Sequence, residues 1–384
     1  MLLNFEKTWL EENNSFNTLN EIWQQPSVWR KVTELVKNKE AEIKKFISKN
    51  INKKTKIILT GAGTSEFVGN SIFNYFIKQG YNIASIATTD ITTNPLEYFN
   101  PDDDIVLVSF ARSGNSPESV IAYELVNSLG KNVKNIVIIC NPEGALRYKI
   151  KNSKTDLLFL LPEEANDKAF AMTSSFTGMI VACYLILDIN NLIQNAIQVE
   201  KIADSVDKNI TTLYPQIKKI AEMNHKRIIF LGSGSLKGYS QESHLKILEL
   251  TAGKVATFYN SPVGFRHGPK SILNDESIVI MLMSNNDYSR QYDIDLLEEL
   301  NTQQQIDRLV VLDYKNDANI NTKCDDYINF EFDEEPLLGL NYIIFAQLYA
   351  FYKSLQLGLT PDNPWPSGLV NRVVQGVKTY KYNK

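Results

Sequence analysis

The sequence predicts an α/β protein of two similar domains in tandem, each a mainly parallel sheet with helices on both faces, behind an N-terminal helical arm. Three observations predict it. From Lys56 onward, short Ile/Val-rich runs alternate with helical stretches, the pattern that builds parallel sheets covered on both sides. The segment Lys56-Ile-Ile-Leu-Thr-Gly61-Ala-Gly63-Thr64 recurs as Arg227-Ile-Ile-Phe-Leu-Gly232-Ser-Gly234-Ser235, and each glycine is repeated 171 residues later. Asp104-Ile-Val-Leu-Val is likewise echoed by Ser277-Ile-Val-Ile-Met at a step of 173, so two strand-and-turn patterns repeat in one order.

Bulk composition narrows the function classes. A chain of 384 residues accommodates one large or two medium domains, and 43% apolar with 22% charged residues is ordinary for a globular protein. A net charge of −4 without a long basic run argues against a nucleic-acid partner. Cys140, Cys183 and Cys324 lie in or beside apolar runs without a CxxC, and read as core residues in a reducing compartment. His225, His244 and His267 lack metal-ligand spacing, so no metal is expected. The longest apolar run, Met179–Leu187, is far short of the ~20 residues a membrane helix needs. The first residues carry acids where a signal peptide needs a basic start. A cytoplasmic protein is expected.

In chain order, residues 1–50 are helical in pattern. Trp23, Val28, Val32, Leu35 and Val36 form one apolar face, and Ile43, Phe46 and Ile47 another. A first α/β domain over 51–200 has strands near Ile57–Leu59, Ile83–Ala87, Ile105–Val108, Ile136–Cys140 and Leu157–Leu160, then a buried helix Ala171–Asn190. A connecting helix over 201–222, interrupted around Pro215, leads to a second domain over 223–358. That domain has strands at Leu309–Leu312 and Ile328–Phe330 and a long helix Leu337–Leu357 stopped by Gly358. A proline-rich tail, 359–384, then extends as if to cover something.

Chemistry concentrates in a few loops. Arg112-Ser113-Gly114-Asn115-Ser116 follows an apolar strand and opens a helix, with Ser116 as N-cap and Pro117 at the first helical position. Free N–H groups, the helix dipole, hydroxyls and the Arg112 fork make it a candidate phosphate cradle, although an ordinary polar turn has the same composition. Gly61-Ala-Gly63-Thr64-Ser65 would stand beside it at the carboxyl edge of the sheet, and Glu66 breaks the dinucleotide fingerprint where a third glycine belongs. The second copy has Asn285-Asn286-Asp287-Tyr288 at the equivalent loop, whose acid would repel phosphate, so one phosphate site per chain is expected.

Glu249 is the candidate base. It lies in the last turn of a helix over Ser240–Ala252, facing the negative dipole end among apolar neighbours, a setting that suits proton transfer; an exposed pair with Lys246 is the plain alternative. His267 sits between glycines in Gly264-Phe-Arg-His-Gly-Pro269, where Arg266 and Lys270 should favour the neutral imidazole, though a lone loop histidine is often structural. Lys168, Met172, Thr173, Ser174 and Ser175 open the buried helix, either lining a pocket or capping it.

Seven short motifs in order give the chain a family resemblance: Gly61-Ala-Gly-Thr-Ser65, Ser113-Gly-Asn-Ser116, Cys140-Asn-Pro, Ala171-Met-Thr-Ser-Ser, Leu248-Glu-Leu250, Phe265-Arg-His-Gly-Pro269 and Thr360-Pro-Asp-Asn-Pro. From about Lys56 to the end it resembles the sugar isomerase (SIS) domain proteins with two tandem copies. It is similar to the isomerase half of glucosamine-6-phosphate synthase, and above all to the galactosamine-6-phosphate deaminase/isomerase group, also described as tagatose-6-phosphate ketose/aldose isomerases. The resemblance implies two flavodoxin-like, three-layer parallel-sheet domains. It implies that Thr64, Ser65, Ser113 and Ser116 hold a sugar phosphate; Arg112 and Asn115 join them as candidates from the chemistry of the loop itself. It implies that Glu249 moves a proton between C1 and C2, and that His267 opens the ring from the partner subunit of a homodimer. No cofactor is implied.

Two departures stand out. Where the synthase tail has a lysine, this chain has Gln375, with Arg372 and Lys378 nearby, and Arg112 replaces an uncharged amide. With no glutamine-hydrolysing domain ahead of residue 56, deamination of an amino-hexose 6-phosphate is the expected direction. A non-deaminating isomerase or a sugar-amine deglycase would use the same residues. A sugar-phosphate sensor would pair this fold with a basic DNA-binding domain, a charge that residues 1–50 lack.

Overall fold

The computed structural model describes residues 1–332, 334–374 and 376–382. Two parallel sheets divide the chain. The first contains β1 (Lys56–Thr60), β2 (Ile83–Ser85), β3 (Asp104–Ala111), β4 (Asn132–Ile139) and β5 (Leu157–Leu160) in the order β2-β1-β3-β4-β5. The second contains β6 (Arg227–Gly232), β7 (Ala256–Asn260), β8 (Ser277–Leu282), β9 (Arg308–Asp313) and β10 (Asp326–Asn329) in the order β10-β9-β8-β6-β7. Numbered from each sheet's own first strand, the two orders are the same doubly wound arrangement, so the internal repeat is a repeat of fold. Strands covered on both faces read as continuous apolar runs, as β4 does in Ile136–Ile139 and β8 does throughout.

The contacts group into two compact units. One holds the first sheet, with Ser27–Asp167, Met172–Glu200 and the described residues of 367–384; the other holds the second sheet, with Met1–Pro26, Lys168–Ala171 and Lys201–Pro366. The division falls within the N-terminal helices, at Pro26, rather than after residue 50. In the first-sheet unit, Val28, Val32 and Val36 are buried along one helical face, and Ile43, Phe46 and Ile47 along the next. Trp29 is fully buried and donates its indole N–H to Thr177 Oγ1 at 2.9 Å, on the buried helix Ser174–Leu187. Replacing Trp29 by alanine removes both that bond and the largest side chain on this face. A loss of ~3–5 kcal/mol is expected, read as a lowered urea midpoint.

In the second-sheet unit, the Thr360-Pro-Asp-Asn-Pro motif has a structural use. Asp362 accepts from Thr18 N at 2.7 Å and Asn17 N at 2.9 Å, fixing the first turn of helix Phe16–Trp23. Gln25 donates to Gln347 at 2.7 Å, which ties the same N-terminal segment to the long helix Leu338–Gln356.

One expectation is overturned, and one strand is added. The helix expected to break at Pro215 runs unbroken over Leu192–Ala221. Pro215 and Thr211 are both exposed, so the carbonyl that loses its helical partner faces water. Strand β7 was not visible in the pattern, because it is an edge strand with no buried residue.

Candidate active site

Parallel pairing brings the two polar loops of the first sheet together. Thr60, the last residue of β1, pairs in register with Ser109 of β3, and β3 ends two residues on at Ala111. The loops 61–63 and 112–116 therefore leave adjacent strands at the carboxyl edge, where the strand order reverses and open α/β sheets bind ligands. Each runs into a helix N-terminus: Thr64–Lys78 after the first, Pro117–Leu129 after the second. The close turn of the first loop needs Gly61, since a Cβ there would lie 2.4 Å from the Ser65 backbone. Thr64 and Ser65 are buried in the first helical turn.

The second loop is shaped for an anion. Gly114 has φ +64°, and a Cβ on it would meet Ile139 Cδ1 at 2.3 Å. The N–H groups of Ser113, Gly114 and Ser116 have no partner among the described residues. Ser116 stands at the N-cap but its hydroxyl makes no capping bond, and Ser113 Oγ only accepts, from Asn115 N at 3.2 Å. Both hydroxyl protons are thus unspent beside a helix N-terminus. Asn115 turns elsewhere: its Oδ1 accepts from Ala145 N at 2.9 Å and holds the neighbouring loop. Arg112 is buried and donates to the carbonyl of Arg372 at 2.8 Å, while Arg372 donates to the carbonyl of Asp167. The tail is therefore pinned beside the cradle at Arg372. Gln375 lies outside the described residues.

Thr173 is fully buried and serves the capping of helix Ser174–Leu187. The cap is Asp167, whose carboxylate accepts from the N–H groups of Thr173, Ser174 and Ser175 at 2.8, 3.1 and 2.9 Å. A buried carboxylate at a helix N-terminus is favourably placed, and this Asp precedes the helix by too many residues to be recognised as its cap.

The second sheet answers its own cradle with a carboxylate. Asp293, buried, accepts from Ser233 Oγ at 2.7 Å and Ser284 N at 3.0 Å, joining the loops after β6 and β8. Burial pushes its pKa up, opposed by these bonds and by Arg290. The place that the candidate cradle takes in the first sheet is occupied here by this carboxylate.

Glu249 lies in the last turn of helix Leu236–Leu250, about a quarter exposed, with Oε2 accepting from Lys246 Nζ at 2.5 Å. Lys246 is fully buried and also pairs with the fully buried Glu242 at 3.2 Å. Burial alone would lower the Lys246 pKa, but the two carboxylates outweigh it and hold it above the usual lysine range. The pair with Lys246 is thus an internal triad on one helix face rather than a solvated surface contact, and Glu242 belongs to it.

His244, on the same helix, stacks on Tyr259 with centroids 4.9 Å apart, and its Nδ1 is buried without a partner. Burial pushes its pKa down from 6.5 to about 4. The unfolded chain then binds more protons, so this contribution to stability is present above pH ~6.5 and is lost as pH falls toward 4. The loss is on the order of 3 kcal/mol, and His244→Gln should flatten that stretch of the stability–pH curve.

His267 is exposed, and its ring has no hydrogen-bond partner among the described residues. The flanking cations are engaged by acids. Arg266 pairs with Asp295 at 2.5 Å and Glu299 at 2.8 Å, and Lys270 pairs with Glu299 as well. Their charge is neutralised by helix Asp287–Gln303, far away in sequence. No ion pair or hydrogen bond among the described residues joins His267 to Glu249. Among the same residues no group of three or more His, Cys, Asp or Glu is placed to hold a metal, and no single helix is long and apolar enough to cross a membrane.

Two doubly wound sheets in tandem, one with unspent donors in the loop at its switch point, define a tandem α/β protein with a candidate anion site. The chain belongs to the SIS domain family, whose model matches residues 50–188 and 223–355. It is 40% identical over 377 residues to the D-galactosamine-6-phosphate deaminase AgaS of Escherichia coli, covering 96% of this chain and 95% of that one. A solved structure from Clostridium novyi NT is 40% identical with a TM-score of 0.95, covering 100% of this chain and 99% of that one. The tagatose-6-phosphate ketose/aldose isomerase of Escherichia coli is 36% identical with a TM-score of 0.88, covering 96% and 97%.

Proposed function

We propose that this protein is an enzyme that converts D-galactosamine 6-phosphate to D-tagatose 6-phosphate and ammonia. The observation that carries this reading is the full-length 40% identity to a D-galactosamine-6-phosphate deaminase. The cradle supports it: the N–H and O–H groups of Ser113 and Ser116 are unspent at the N-terminus of helix Pro117–Leu129, a place where a dianionic phosphate is well held. In this reading the first SIS domain anchors the phosphate through Thr64, Ser65, Ser113 and Ser116, with Arg112 tying down the tail. The second supplies the chemistry. His267 assists ring opening by exchanging protons with the O1 hydroxyl and the ring oxygen. Glu249 takes the proton from C2, giving an enolamine, and a proton returns at C1. The resulting imine at C2 is hydrolysed to the ketone with release of ammonia. The neighbouring carbonyl already acidifies the C2 proton, so this step draws on no metal or organic cofactor.

The protein acts in this reading as a cytoplasmic homodimer in which His267 completes the partner's site. Three unpaired cysteines fit a reducing compartment. The name of the E. coli isomerase of known structure keeps a second reading in view, aldose–ketose isomerisation without loss of nitrogen. A substrate panel separates them. Ammonia and ketose phosphate from galactosamine 6-phosphate, and not from glucosamine 6-phosphate, are expected. Ketose phosphate formed only from amine-free aldose phosphates would replace the deaminase reading with the isomerase one.

A further inference from the structure

We propose that Glu299 is a positioning residue for ring opening: it clamps the loop that presents His267. This rests on the ring-opening role given to His267 above. The loop leaves β7, makes the short helix Pro262–Phe265 and ends in the turn Pro269–Ile272. Phe265 is fully buried, which anchors the loop from below. Two residues later His267 is exposed, with Gly268 at φ +108°, and among the described residues no hydrogen bond at the imidazole itself fixes where the ring stands. The fixing comes from the two cations beside it.

Asp295, Glu299 and Gln303 are spaced four apart and form one stripe on helix Asp287–Gln303. The Arg266 fork spans the first two, to Asp295 Oδ2 at 2.5 Å and Glu299 Oε2 at 2.8 Å. Lys270 spans the last two, meeting Glu299 Oε1 and, at 2.5 Å, Gln303 Oε1. Glu299 is therefore the shared rung, one oxygen for the residue before His267 and the other for the residue three after it. Partly exposed ion pairs of this kind add little to stability singly, so a ladder of them across one loop is better explained by placement than by folding. Ring opening needs that placement. As the C1–O5 bond breaks, the O1 hydroxyl loses a proton and O5 gains one, and a loosely held imidazole serves that exchange poorly.

Ring opening can be isolated in the full-length protein carrying Glu249→Gln, which should open and close the ring without turnover. The readout is enzyme-catalysed exchange between α and β anomers of galactosamine 6-phosphate, measured by NMR exchange spectroscopy. Adding Glu299→Gln should slow the exchange roughly tenfold or more, toward the level reached with His267→Asn, and leave substrate affinity unchanged. Glu299→Asp should restore part of it. Glu298→Gln, which breaks the neighbouring pair with Lys323 on the same helix, should leave the exchange at its starting rate. If His267→Asn abolishes the exchange and Glu299→Gln does not slow it, the clamp is refuted. If Glu249→Gln protein with an intact loop catalyses no exchange, or His267→Asn leaves it unchanged, the ring-opening role of His267 fails instead.

Discussion

Glu249→Gln should abolish turnover while the protein still folds and still binds phosphosugar. Glutamine keeps the shape and one oxygen for Lys246 but cannot accept the C2 proton. General-base catalysis is worth about 10²–10⁴ in rate, so kcat should fall by that range with KM within a few-fold. The buried lysine makes the experiment decisive. Lys246 retains Glu242 at 3.2 Å, so its charge is not left unpaired when Glu249 is neutralised, and a stability loss large enough to mimic inactivity is not expected. If Glu249 served only as the partner of Lys246, the same substitution would leave kcat within a few-fold.

Ser113→Ala with Ser116→Ala should act on the other term, raising KM for the phosphosugar by roughly 100-fold with kcat little changed. Each hydroxyl is free to donate to a phosphate oxygen, and a charge-assisted bond contributes about 1.5–3 kcal/mol. Neither serine is needed for folding: Ser116 makes no capping bond and Ser113 accepts one turn contact. Initial rates over a range of substrate concentrations separate KM from kcat, and inorganic phosphate should lose its competitive inhibition in the same variant. An unchanged KM would move the phosphate away from this loop.

The cradle was legible in the sequence because its logic is local. A strand, a glycine, hydroxyls and a helix start within ten residues mark a strand-to-helix turn rich in donors before any tertiary contact is known, and the structure adds the left-handed φ of Gly114. The repeat was legible for the same reason, since Gly61 and Gly232 each mark a tight turn after an apolar strand. The missing parts depend on long-range contacts. Arg266 and Lys270 flank His267 in sequence, yet their partners Asp295 and Glu299 come from a helix nearly thirty residues on. Asp167 caps a helix it precedes by a loop. Glu242 was within reach of sequence reasoning, four residues before Lys246 and seven before Glu249 on one helical face, a spacing that places all three together. Strand β7 was hidden because a half-exposed edge strand carries no strong periodicity.

The fate of the C2–nitrogen bond separates deamination from plain isomerisation. Galactosamine 6-phosphate labelled with ¹³C at C2 should be followed by NMR alongside enzymatic ammonia measurement in the same reaction. The prediction is that the C2 resonance moves from an amine-bearing carbon to the ketose carbon of tagatose 6-phosphate, with one ammonia released per ketose formed. Ketose formation from galactose 6-phosphate in the same preparation, with the labelled amine carbon unchanged and no ammonia released, would contradict it.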